Sequence, residues 1–315
     1  MEHRGSKMTK GKEKLSGKKK SELIFYVCMV VLPLAQISVF FIGVNFNSVL
    51  LAFKSYTPDG KFVYTGFDNF KLFFTDLLGD RSTAMRMMFS NSMWLYFAGL
   101  IVGAPLNVLF AYLIYKKIPG STFFNVILFL PQILSSIVMS IMFRYFMEEG
   151  IPALAQLLGV KTLPSFFVDI SSAFPTVIAY NIWAGFGGQI IVYVSTMSRI
   201  PNDLVEVGQL EGMSLWQEFI YLTFPMVYST ISTYLVIATS GIFTNQAALY
   251  NFYGNEAPAY TQTFGYYLFV TVLKSDGYDA YPQAASMGIM FTVVSIPLVF
   301  VVKWLLERYN PEVEV

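Results

Sequence analysis

Ionisable residues are scarce in this sequence, and they are missing where it is most apolar. Only 13% of the 315 residues are Asp, Glu, Lys or Arg, against 55% hydrophobic and 17% aromatic. A soluble domain of this length could not hide that much apolar surface in one core. One cysteine, Cys28, and one histidine, His3, exclude a disulfide framework and a Cys/His metal centre. They also exclude Ser/His/Asp and Cys/His nucleophiles, because His3 lies in a polar, basic tail. No G-x-x-x-x-G-K-[ST] phosphate loop occurs. The glycine–lysine pairs at Gly11 and Lys12 and at Gly17 and Lys18 sit in the same tail without a preceding strand. The expected class is a membrane protein that is not an enzyme and carries no metal or cofactor of its own.

A helix needs about 20 mostly apolar residues to cross the hydrocarbon layer. Six runs free of charge meet that need: Leu23 to Phe53, Met87 to Tyr115, Ile118 to Phe143, Ile170 to Ser198, Phe219 to Asn255 and Ala280 to Val302. They are continuous rather than alternating, so they read as helices and not as barrel strands of about 10 residues. Several exceed one crossing and must include re-entrant, interfacial or loop residues. The expected fold is an all-α integral membrane protein with six transmembrane helices, and no internal repeat is visible.

Charge asymmetry orients it. Eight of the 21 Lys and Arg residues fall within the first 20 positions, which resembles the start of a signal peptide. The run that follows is too long for an h-region and lacks a closing A-x-A site, so it reads as a retained first helix. The basic tail, residues 1–20, reads as a cytoplasmic topology signal rather than a lipid or nucleic-acid site. Six crossings return the C-terminal tail, residues 307–315, to the same side. Outside lie a first loop at residues 54–86, a second from Glu148 to Asp169, and a third carrying Glu256, Lys274, Asp276 and Asp279. The remaining chain divides into a first transmembrane region, 21–53, and a five-helix core, 87–306. Arg144, at the outer end of the third run, reads as a snorkelling or loop-facing cation.

Within that core, residues 200–225 interrupt the apolar chain on the cytoplasmic side. Pro201 or Asn202 can open a short helix that ends at Leu210 or Glu211, with Gly212 as the stop. Ser214 and Gln217 fit a capping box that starts a second helix. Asp203, Glu206, Glu211 and Glu218 face only Arg199, the reverse of a usual cytoplasmic loop. Leu204, Val207 and Leu210 add an apolar stripe. Two readings stay open on physics alone: a docking surface for a basic protein partner, and a solvated connector.

Neutral polar groups and aromatics take the place of charge inside the runs. Asn181, Trp183 and Gln189 lie in the fourth, and Thr239, Ser240, Thr244, Asn245, Gln246 and Tyr250 in the fifth. Amides can meet hydroxyls and aromatic rings can stack on sugar rings, which suits a neutral polyol. The same residue types also serve as hydrogen-bond glue between helices. Gly185, Gly187 and Gly188 read as close-packing positions. An ion-coupled carrier would need ionisable groups at membrane depth, and none is present. A receptor that transports nothing has no positive feature here, though nothing in the residues excludes it.

The interrupting segment resembles the EAA motif of ABC transporter permeases: Glu-Ala-Ala, then Asp-Gly-Ala, then a proline before the next helix. Here it stands as Glu206, Val207, Gly208, then Glu211, Gly212, Met213, then Pro225. Glu206, Gly212 and Pro225 match in identity and spacing, while Val207, Gly208, Glu211 and Met213 depart. Gly120 to Phe124 with Phe129, Leu130 and Pro131, the stretch Trp183 to Pro201, and Gly241 to Gln246 are similar to the carbohydrate-type permeases, including those fed by extracellular lipoprotein receptors. The resemblance spans about Asn91 to Trp304. It implies an ABC importer permease fold in the bacterial plasma membrane, working by alternating access on a sugar or oligosaccharide. It implies a coupling helix in which Asp203, Glu206, Val207, Leu210, Glu211, Gly212 and Met213 dock an ATPase. It further implies a second, homologous permease subunit, two cytoplasmic ATPase subunits that bind ATP and Mg, and an extracellular substrate-binding protein. Asn181, Trp183, Gln189, Thr244, Asn245, Gln246 and Tyr250 are the substrate-path candidates.

Overall fold

A computed structural model of the chain describes residues 17–79, 82–160, 163–274 and 278–310, with side chains from Lys20 onward. Most of the basic tail, the end of the C-terminal tail and Asp276 of the third expected outer loop lie outside the described residues. The chain divides into two compact units, Met1–Leu51 and Ala52–Val315.

The first unit is one long helix, α1, Lys20–Leu51, whose side chains are exposed almost throughout. The second opens with a hairpin of β1, Lys54–Tyr56, and β2, Phe62–Tyr64, paired antiparallel with Ser55 opposite Val63. Helices α2, Asp68–Leu78, and α3, Ser82–Tyr115, follow. Buried Asn69 ties the hairpin to α2 by donating to the carbonyls of Ala52 at 2.9 Å and Lys54 at 2.7 Å. The expected first outer loop is therefore structured, and the second span begins at Ser82 rather than Met87.

The third apolar run is not one straight crossing. It forms α4, Ser121–Ile133, and α5, Ser136–Leu157, bent by 119°. The backbone is extended at Leu134, with φ −88° and ψ 154°, just after Pro131, whose ring removes a helix hydrogen bond. Helix α5 continues to Leu157, into the segment expected to be a loop. Next come α6, Ala173–Met197, the short α7, Asn202–Leu210, and α8, Leu215–Ser240.

The fifth run outlasts α8 because its continuation turns back. Ala247 and Ala248 both take left-handed backbone, φ 54° and 55°, a conformation that costs a residue bearing a Cβ roughly 1–2 kcal/mol. Two amides hold the turn. Asn245 Oδ1 accepts from the Ala247 N–H at 2.8 Å, and Asn181 Nδ2 donates to the Ala247 carbonyl at 2.9 Å. The chain then forms α9, Leu249–Tyr253, α10, Phe264–Lys274, and α11, Ala280–Arg308. At about 1.5 Å per residue α10 is too short to cross about 30 Å of hydrocarbon.

Prolines shape the long helices. Wide π-helical turns at Gly99–Gly103, Phe146–Gly150 and Phe219–Thr223 each end two residues before Pro105, Pro152 or Pro225. A proline cannot donate to the carbonyl four residues back, and the preceding turn opens to accommodate it.

Packing is close where glycine permits it. The C-terminal part of α3 lies along α6, as does α4. A side-chain carbon at Gly187 would lie 2.5 Å from Gln132 Cγ and 3.0 Å from the Leu128 carbonyl, and one at Gly265 would lie 2.5 Å from the Thr244 backbone carbon. The Gly265 obstacle is backbone and cannot swing away. Gly265→Ala is expected to destabilise by about 1–3 kcal/mol, read as a lower thermal midpoint in detergent. Gly185→Ala, whose added carbon meets nothing within 4 Å, should leave that midpoint unchanged or slightly raised.

Candidate functional site

Helices α3, α6 and the end of α8 enclose a cavity of about 370 Å³ with the turn after α8, within the range of small-molecule sites. Asn181, Gln189, Thr244 and Asn245, four of the seven path candidates, line it. No Asp, Glu, Lys, Arg or His lies on its wall among the described residues. Four glycines, Gly99, Gly103, Gly185 and Gly241, leave parts of the wall without side chains, and Tyr96, Tyr193 and Tyr234 contribute rings with hydroxyls.

The other three candidates sit elsewhere. Trp183 stacks on Phe143, with ring centroids 5.9 Å apart at 26°, as part of an aromatic core with Phe252 and Tyr180. Tyr250 meets Phe269 edge to face at 5.0 Å. Gln246 lines a separate hollow with Phe269 and Tyr281. The reason for Trp183 lies in α6, which is apolar on all sides, so spacing along it does not tell the cavity face from the core face.

Sequence reasoning missed Asn107. Its Nδ2 donates to Gln189 Oε1 at 2.7 Å across the α3–α6 contact. The residue is 3% exposed, and its Oδ1 has no partner. Leaving a buried acceptor unpaired costs roughly 1–3 kcal/mol. An amide inside a charge-free run was the available signal. Ser92, Tyr96, Tyr193 and Tyr234 were missed as well, and hydroxyls and tyrosines carry no comparable signal because they also serve as glue and interfacial belts.

The segment between α6 and α8 forms as its residues predict. Helix α7 ends with Gly212 at φ 77°. The Gly212 N–H bonds to the Gln209 carbonyl at 3.1 Å and the Met213 N–H to the Gly208 carbonyl at 3.0 Å. That pair of bonds is a Schellman stop. Ser214 and Gln217 complete the capping box, Gln217 Oε1 accepting from the Ser214 N–H at 2.8 Å. Two departures from the EAA pattern compensate each other: a side-chain carbon at Gly208 would lie 3.1 Å from Met213 Sδ. The bulk missing at 208 is supplied from 213. Asp203, Glu206 and Glu211 are exposed, as are Leu204, Val207 at 56% and Leu210 at 87%.

Glu218 departs from the expected acidic face. It is 4% exposed and paired with Lys116 beyond the end of α3, while Tyr112 Oη donates to the Leu215 carbonyl at 2.9 Å. Helix α8 starts against the end of α3, and its first carboxylate turns inward. Arg144 differs too: Nη1 donates to the Phe252 carbonyl at 2.7 Å, and the guanidinium lies 5.4 Å from the Phe167 ring centroid. It anchors α9 to α5 rather than snorkelling.

Residues 99–315 match the sequence profile described as binding-protein-dependent transport system inner membrane component. The chain belongs to that family. As one of its inner-membrane components it is a multi-pass protein, with five helices among the described residues long and apolar enough to cross a bilayer, or six if the bent α4–α5 pair counts as one. The multiple sugar-binding transport system permease protein MsmF of Streptococcus mutans is 26% identical over 277 residues, covering 87% of this chain and 92% of MsmF. The maltose/maltodextrin transport system permease protein MalF of Escherichia coli K12 is 24% identical over 217 residues, 63% of this chain and 41% of MalF. A bacterial alginate ABC transporter, solved in complex with alginate pentasaccharide-bound periplasmic protein, matches with a TM-score of 0.76 at 21% identity, covering 95% of this chain and 99% of that one. That likeness shows a shared fold.

In this inner-membrane component the Lys116–Glu218 pair is buried, so removing one partner strands a charge. Lys116→Met is expected to cost about 3–5 kcal/mol, measured by thermal unfolding of the purified protein. The charge-swapped double variant, Lys116→Glu with Glu218→Lys, should recover most of the loss.

Proposed function

We propose that this chain is the transmembrane permease subunit of an ATP-driven importer that moves a sugar or oligosaccharide across the bacterial cytoplasmic membrane by alternating access. The observation that carries the reading is the family match over residues 99–315. Relatives named as sugar permeases support the cargo class. The uncharged cavity is consistent with it, since neither a proton nor an ion relay is built into the wall.

The chain pairs with a second, homologous permease and with two ATPase subunits that bind ATP and Mg, and it receives cargo from an extracellular binding protein. The partner solved with the alginate transporter is a binding protein of that kind. Both termini face the cytoplasm, as the eight positive charges among the first 20 residues favour. Helix α7 is then a cytoplasmic coupling helix. Its acidic, apolar and exposed surface supports docking, because a solvated connector does not need Val207 and Leu210 in the open.

A pull-down from detergent extract tests this. The wild type should retain an ATPase subunit and show sugar-stimulated ATP hydrolysis in liposomes. Glu206→Arg, which reverses an exposed charge, should lower retention or stimulation at least about ten-fold, equivalent to about 1.4 kcal/mol. An ATPase that neither form brings down would overturn the reading in favour of an independent carrier or a receptor.

A further inference from the structure

We propose that the Asn107–Gln189 amide pair is a hydroxyl-recognition element for an uncharged, diol-bearing sugar, in a cavity whose uncharged wall discriminates against uronic acids. The inference rests on the reading of this chain as a sugar permease and names the cargo chemistry of its cavity.

The pair commits one donor and one acceptor to each other: Asn107 Nδ2 donates to Gln189 Oε1. What remains is the buried, partnerless Asn107 Oδ1 and the NH2 of Gln189, both residues lying on the cavity wall. Turning both amides over reverses the internal bond, yet it still leaves one oxygen and one NH2 group. An acceptor beside a donor is the complement of two adjacent hydroxyls, of which one donates and the other accepts. A carboxylate only accepts. It would satisfy the NH2 group and oppose the oxygen.

Charge gives the same direction. With no Lys, Arg or His on the wall, a uronate would enter as an unpaired anion, stripped of water and without compensation. Space for a ring is present beside the pair. A side-chain carbon at Gly99 or Gly185 would meet nothing within 4 Å, and the partly exposed Tyr96 and Tyr234 can stack on the apolar face of a sugar.

The test uses the full transporter in liposomes, each sugar supplied at saturation of its binding protein so that differences arise in the permease. The probes are neutral trisaccharides of gluco, manno, galacto and xylo configuration, oligouronates of the same length, and singly deoxygenated analogues of whichever neutral sugar is taken up. Wild type should import a neutral probe, exclude the uronates, and disfavour at least one deoxy analogue by about ten-fold. Asn107→Leu and Gln189→Leu should each lower uptake of the parent sugar about ten-fold and shrink the preference over that analogue to within two-fold. Loss of helix packing alone would lower both sugars equally. Asn107→Ser keeps a polar group in the buried position, guards against misfolding, and should lose the same preference. Uronate uptake by the wild type at the neutral rate, or a preference retained in the assembled variants, overturns the proposal while leaving a sugar permease. If no probe of either class stimulates the wild type, the sugar reading itself falls.

Discussion

Inside a hydrocarbon layer a broken helix must find its hydrogen bonds within the protein, because no water is there to supply them. The break after α8 is placed where amide and hydroxyl side chains close it. Asn91 donates to the carbonyls of Tyr260 and Gln262, both at 2.9 Å. Asn181 bridges Val177 and Ala247, and Thr263 donates to the carbonyl of Asn245. Arg144, midway along α5, does the same for Phe252 in α9. These side chains let the chain turn at Gly241, reverse at Ala247 and return as α10. The cavity exists because the turn after α8 closes its wall.

That constraint also sorts polar residues into two kinds. A side chain whose amide N–H groups are both committed to backbone carbonyls is tied into the fold. A side chain with a group left over beside a hollow is available to something that enters. Asn91 uses both N–H bonds of its amide on backbone, and Asn181 likewise spends its NH2 on two carbonyls. Asn107 bonds Gln189 and keeps an oxygen in reserve. The amide bonds thus separate side chains tied to backbone from the Asn107–Gln189 pair, whose bond runs from side chain to side chain.

Legibility followed the range of the forces involved. The α7–α8 corner was readable nearly residue by residue, because a left-handed glycine stop and a capping box are written in neighbouring residues. The positions of the apolar runs were readable because a span needs length and absence of charge. The 119° bend between α4 and α5 was not, since Leu134 and Ser135 carry no strong local signal and Pro131 is compatible with a simple kink. Glu218 looked like one more exposed acid until its partner, about 100 residues earlier in the chain, was placed beside it. Trp183 and Tyr250 belong to the core for the same reason: their neighbours are set by packing between distant segments.

The geometry joins the surface corner to the cavity by two rigid paths. Asn107 and Lys116 lie on and just beyond the same helix, about 13 Å apart along its axis at 1.5 Å per residue. Lys116 is bound to Glu218 at the start of α8, and Asn107 is bound to Gln189 on α6, which leads directly into α7. Helices transmit displacement with little loss because their interiors are close-packed. A shift of the α7–α8 corner therefore reaches the amide pair from both sides, through α3 on one and α6 on the other. Movement of the two helices in concert carries the Asn107–Gln189 bond along intact. Movement of one against the other breaks that bond and exposes two amides to the cavity at once.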